Sequence, residues 1–136
     1  MIHVIMGLKG SGKTKKLIEQ IQTAVDSGKG DVVCIEYGKQ LTYDVNHRAR
    51  LVDSAEYNIH NSDMLKGCLC GLHAGNFDIT HVFIDNLYKT IGRDLAAAEE
   101  FIVWCDKFAE ANSLEITMTL SDDPKNASEE LKKYLN

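Results

Sequence analysis

The segment GLKGSGKT at residues 7–14 constrains this chain more than any other, because three glycines and two lysines within eight residues fit few places in a fold. Before it, IHVIM at residues 2–6 is a short apolar run with the pattern of a buried strand. Behind it, Leu17, Ile18, Ile21, Ala24 and Val25 recur at helical spacing, closed by Gly28. The segment is therefore expected to turn a strand into a helix. Gly7, Gly10 and Gly12 let the backbone turn sharply and bring its N–H groups where a side chain would block approach. A helix starting near Lys13 adds unpaired N–H groups and the positive end of its dipole, so the turn is suited to an anion such as phosphate. The competing reading is a glycine-rich turn with an incidental lysine, and the flanking strand and helix weigh against it.

The remaining pattern alternates in the same way. Residues 31–36, 81–85 and 114–120 are apolar or β-branched runs that read as buried strands. Met64, Leu65, Cys68, Leu69 and Leu72 form a helical stripe opened by Ser62. A third helix runs from Asp94, its expected N-cap, through Ala98, Phe101, Ile102, Cys105, Phe108 and Ala109 towards Asn112, and a last short helix is expected to carry Leu131 and Leu135. Near-continuous hydrophobic strands between helices predict an α/β fold, a mostly parallel sheet with helices on both faces. With 136 residues and 44% hydrophobic composition, the chain reads as one domain over residues 1–136. Residues 38–61 are polar and too long for an ordinary connection, so they read either as a lid or binding loop or as a surface excursion with a short edge strand.

Charge and cysteines exclude several classes. Fifteen Lys+Arg against 20 Asp+Glu give a net charge of −5, the wrong sign for a chain that binds nucleic acid mainly through phosphates. The N-terminus lacks the charged and apolar regions of a signal peptide, and no apolar run is long enough to span a membrane, so a cytoplasmic location without membrane contact is expected. Cys34 and Cys105 sit in apolar patterns as small hydrophobes; Cys68 and Cys70 with His73 lack zinc spacing and a second cysteine pair.

GLKGSGKT matches GxxxxGK[ST], and HVFID at residues 81–85 is an apolar strand ending in an acid. Together they resemble the Walker A and Walker B motifs of P-loop NTPases. The layout is similar to the RecA-like and thymidine-kinase-like branch, with the phosphate loop near the N-terminus, a Gly28-Lys29 turn before the second strand, and then a polar loop with arginines. The whole-length pattern also resembles short bacterial proteins that carry general labels such as ATP-binding or twitching motility protein; the pilus-retraction ATPases behind the latter label are far longer hexameric motors. The resemblance implies a three-layer α/β/α fold binding ATP and Mg²⁺. It assigns the phosphate loop to Gly7, Leu8, Lys9, Gly10, Ser11, Gly12, Lys13 and Thr14, with Lys13 on the β- and γ-phosphates. Thr14 and Asp85 would hold the metal. In the RecA-like order, strand 114–120 lies between the phosphate-loop strand and the Asp85 strand, placing Thr119 or Ser121 beside the γ-phosphate.

Two departures matter. A glutamate base commonly follows the acid in these families, and here Asn86 stands there; an amide takes no proton but can orient a water. Glu36, at the end of the second strand, is the replacement base, or else a solvated strand-end carboxylate. The zinc lasso of thymidine kinases has no equivalent in residues 121–136. Tyr43, Tyr57 and Tyr88 are candidates for base recognition, and Arg48, Arg50 and Arg93 for a phosphate clamp. No guanine-reading motif follows Asp85, which favours ATP over GTP. Three functions follow: an ATPase with slow or partner-dependent hydrolysis, whose partner is another protein or a second copy; a small-molecule kinase of nucleoside type; and a non-catalytic nucleotide-sensing switch.

Overall fold

In a computed structural model the chain is described over residues 1–135; the last residue of the expected domain, Asn136, lies outside the described residues. Five strands, β1 (Ile2–Gly7), β2 (Asp31–Glu36), β3 (Ala49–Asp53), β4 (Ile79–Ile84) and β5 (Glu115–Ser121), form one sheet in the order β1-β5-β4-β2-β3. All pairings are parallel, so every strand delivers its carboxyl end to the same edge. The helices are α1 (Lys13–Ser27), α2 (Ser62–Gly75), α3 (Leu87–Ile91), α4 (Leu95–Asn112) and α5 (Glu129–Lys132). The fold is α/β as expected, and it is compatible with a phosphate-loop fold.

Strand pleating divides the core in two. Ile5, Val32, Cys34 and Phe83 face α1, where Leu17 and Ile21 are fully buried. Val4, Ile35, Ile84, Ile116 and Met118 face α2, α3 and α4, and meet Leu65, Leu69, Phe101, Ile102 and Cys105. Each such aliphatic side chain contributes about 1.5–3 kcal/mol by leaving water. Cys34 and Cys105 are core members, and all four cysteines are free. His73 packs against Phe77 and Phe108. Among the described residues no helix is long and apolar enough to cross a membrane.

Local signals end the helices where expected, with two exceptions. Gly28 closes α1 in the left-handed conformation, and Asp94 caps α4 by accepting the N–H of Ala97. For α2 the cap is Asn61, which accepts the N–H of Met64 at 2.8 Å, while Ser62 is the first helical residue. Leu135 does not join the last helix. After α5 the chain turns through Lys133 and Tyr134, the N–H of Val4 donates to Tyr134 O at 2.8 Å, and Leu135 bridges Val4 in parallel. An exposed β1 edge has unpaired backbone groups to satisfy, and that demand outweighs a fourth helical residue pair. Within residues 38–61, β3 forms the opposite edge of the sheet, and Leu41, Val45, Val52 and Ile59 are buried beneath the polar surface.

Candidate functional site

The turn from β1 to α1 opens at the carboxyl edge of the sheet. Gly7 is buried there, and a Cβ at this position would stand 2.5 Å from Ser11 Oγ, so a larger residue would have to push the Ser11 side chain aside for the loop to fold back on itself. Gly12 takes φ 87° at the N-cap of α1, a conformation that favours glycine. A glycine cap has no side chain to offer the helix. By contrast, Asn61, Asp94 and Ser128 each cap their helix with a side-chain oxygen, so α1, with no acid in its first turn, begins with its leading N–H groups uncovered. Leu8, Lys9, Gly10 and Ser11 arch outward as exposed residues above this helix end.

Lys13 lies beneath the arch, 9% exposed, its ammonium donating to Leu8 O at 3.0 Å. Burial lowers its pKa, and the charge of Asp85 works in the opposite direction. Asp85 follows the last residue of β4, and its Oδ1 is a meeting point. It accepts the hydroxyl of Thr14 at 3.3 Å and that of Thr119 at 2.9 Å, drawing α1 and β5 to the same atom. Thr119 is 1% exposed, and its oxygen also accepts the N–H of Asn86 at 2.6 Å. Asn86 itself has φ 54° and ψ 70°, a left-handed turn that asparagine tolerates better than most residues and that redirects the chain into α3.

Glu36 ends β2 and is only 3% exposed, which corrects the picture of a solvated strand-end carboxylate. Its Oε1 accepts the N–H groups of Gln40 at 2.9 Å and Leu41 at 3.1 Å, pinning the start of the 38–61 excursion. Burial raises its pKa; the two N–H groups oppose the shift, while Asp85 and Asp53 add to it. These groups line a cleft of about 420 Å³. Lys9, Gly10, Gly12, Lys13 and Thr14 form the loop wall, and Asp85, Asn86, Thr119 and Glu36 the sheet wall.

Other candidates lie elsewhere. Arg48 pairs with Asp26 at 3.7 Å near the end of α1, and Arg50 lines a hollow with Asp31 and Ile79, the first residues of β2 and β4. Because β3 runs parallel to β2, residues at its start lie at the amino edge, away from the cleft. Arg93 is at the correct edge, yet it donates to Ser121 O at 3.2 Å and lies over the ring of Tyr88. Tyr88 is buried, its hydroxyl donating to Asp122, while Tyr43 and Tyr57 point to solvent away from the cleft. The tyrosine that lines the cleft is Tyr37, with Gln40 and Lys89 also on the wall. Position next to Glu36 was the available signal for Tyr37; Lys89 had none, because α3 shows no periodicity over five residues.

No protein-family model matches this sequence, and no curated protein matches it either.

Proposed function

We infer that this chain binds Mg·ATP as a P-loop NTPase of RecA-like strand order, and that its hydrolysis is slow or controlled by a partner. The observation that carries the reading is the meeting of the Thr14 hydroxyl with Asp85 Oδ1 at 3.3 Å, beside the buried ammonium of Lys13. A hydroxyl and one carboxylate, 71 positions apart in the chain, form the sparse oxygen donor set that suits Mg²⁺ when phosphate oxygens and water complete its shell. Bound Mg²⁺ neutralises phosphate charge and polarises the terminal phosphoryl group. The strand order supports the RecA-like branch, since β5 separates β1 from β4.

In this reading the uncovered N–H groups of α1 and the loop cradle the phosphates, and Lys13 leaves Leu8 O to bridge the β- and γ-phosphates. Asn86 orients a water through its amide. Glu36, with Oε1 held by two N–H groups and no protein donor at Oε2 among the described residues, takes the proton from the nucleophile. A small-molecule kinase is the second reading, favoured by the extension of the cleft past the loop to Glu36, Tyr37 and Gln40. Its acceptor hydroxyl would replace water at Glu36.

Calorimetry with ATP and Mg²⁺ on the wild type and Lys13→Ala tests the binding reading. Loss of binding with an unchanged fold is expected, and wild-type affinity in the variant overturns the assignment. Phosphate release measured with and without a panel of nucleosides then separates hydrolysis from phosphoryl transfer.

A further inference from the structure

Among the described residues, the arginines put no free cation on the cleft wall opposite the loop: two lie at the amino edge, and Arg93 is engaged by Ser121 O, Asp122 and the Tyr88 ring. Lys89 stands on that wall. It is exposed, lines the cleft with Lys13, Asp85 and Asn86, and pairs with no carboxylate among the described residues. It follows Asp85 by four residues, on the short helix α3 that opens at the left-handed turn of Asn86.

Although α3 is short, its placement is firm. Leu87 is fully buried, Tyr88 donates to Asp122 Oδ2 at 2.5 Å, and the buried hydroxyls of Thr90 and Ser54 lie 3.1 Å apart. Lys89 is thus the outward residue between two anchored neighbours, so its backbone needs no further ordering when an anion arrives. Lys9 and Lys15 belong to the loop and to α1, on the β1 side of the cleft. Lys89 belongs to the β4 side, beyond β5, next to the acid assigned to the metal.

We propose that Lys89 is a second phosphate-binding cation that reads the terminal phosphate and makes the site prefer a nucleoside triphosphate over a diphosphate. The assignment rests on the Mg·ATP reading above and adds the discrimination on which a switch or a turnover cycle depends. A charge-assisted contact made only to the terminal phosphate should favour ATP over ADP by roughly tenfold to a hundredfold.

The test titrates the full chain with ATP and with ADP, each with Mg²⁺, for the wild type, Lys89→Met, Lys89→Arg and Lys13→Ala. Expected is a wild-type preference for ATP that Lys89→Met abolishes by weakening ATP alone, with Lys89→Arg retaining it and Lys13→Ala weakening both nucleotides. If Lys89→Met leaves the ATP preference intact or weakens both nucleotides equally, while Lys13→Ala remains defective, the Lys89 assignment falls and the ATP reading stands. A wild type that binds neither nucleotide overturns both.

Discussion

Thr119→Val removes one hydroxyl and little else, since valine keeps the branched shape and the strand preference of threonine. The hydroxyl holds two groups, donating to Asp85 Oδ1 at 2.9 Å and accepting the N–H of Asn86 at 2.6 Å, at a site 1% exposed. The two losses differ in size. Asp85 is half-buried at the cleft wall and regains water, whereas the N–H of Asn86 loses its partner beside a valine methyl. An unsatisfied buried donor costs about 1–3 kcal/mol, and the partly recovered carboxylate adds a fraction of that, so a loss of about 2 kcal/mol is expected. For a domain of this size that is a fall of about 6–10 °C in Tm. Thr119→Ser is the matched control, because it keeps the hydroxyl and gives up one buried methyl, a loss of about 1 kcal/mol. Urea unfolding of the three proteins at constant m-value measures stability, and calorimetry measures Mg²⁺-dependent ATP affinity. Valine is expected to lose both, and serine only part of the stability. Should Thr119→Val unfold within about 0.5 kcal/mol of wild type, or Thr119→Ser lose Mg²⁺-dependent affinity to the same extent, the hydroxyl would not be what holds Asp85 and the Asn86 turn together.

Glu36→Gln should change pH dependence with little effect on the fold, because the amide oxygen can accept the same two N–H groups. The raised pKa of Glu36 means that the folded chain binds this proton more tightly than the unfolded chain, so wild-type stability falls as pH rises from about 4.5 through the folded value. Urea midpoints between pH 4 and 7 should show that slope in the wild type and a flatter profile in the variant. If Glu36 is the base, the acidic limb of phosphate release lies above pH 4.5 and disappears with the variant, and an unmoved limb assigns the base elsewhere. At Asn86 the backbone sets the outcome: Asn86→Ala should lose about 1 kcal/mol and Asn86→Gly less than half of that, as φ 54° is strained for alanine and free for glycine. Equal losses in urea unfolding would transfer the effect from backbone to side chain.

What depends on near neighbours was legible in the linear sequence. Residues 31–36 form β2 at the bounds their pattern indicated, Gly28 and Asp94 end and begin their helices, and residues 7–14 join strand to helix. Burial period, capping and glycine geometry act within a few residues, so the sequence states them directly. Strand order in the RecA-like sense was expected only through a resemblance, and β5 between β1 and β4 agrees with it. The site's finer organisation depended on distant contacts. Asp85, Thr14 and Thr119 meet because three parallel strands end at one edge, and Glu36 is buried because residues 38–41 fold back over it. Parallel pairing likewise sent Arg48 and Arg50 to the amino edge, and the bare side of β1 drew Leu135 out of helix. Tyr37 reached the cleft just past the end of β2, marked in the sequence only by its place next to Glu36, and Lys89 reached it from α3, a position that no local pattern distinguishes from an ordinary exposed residue. Local preference chooses the element, but a side chain's neighbours are chosen by which strands lie side by side, and that is settled by packing the whole sheet.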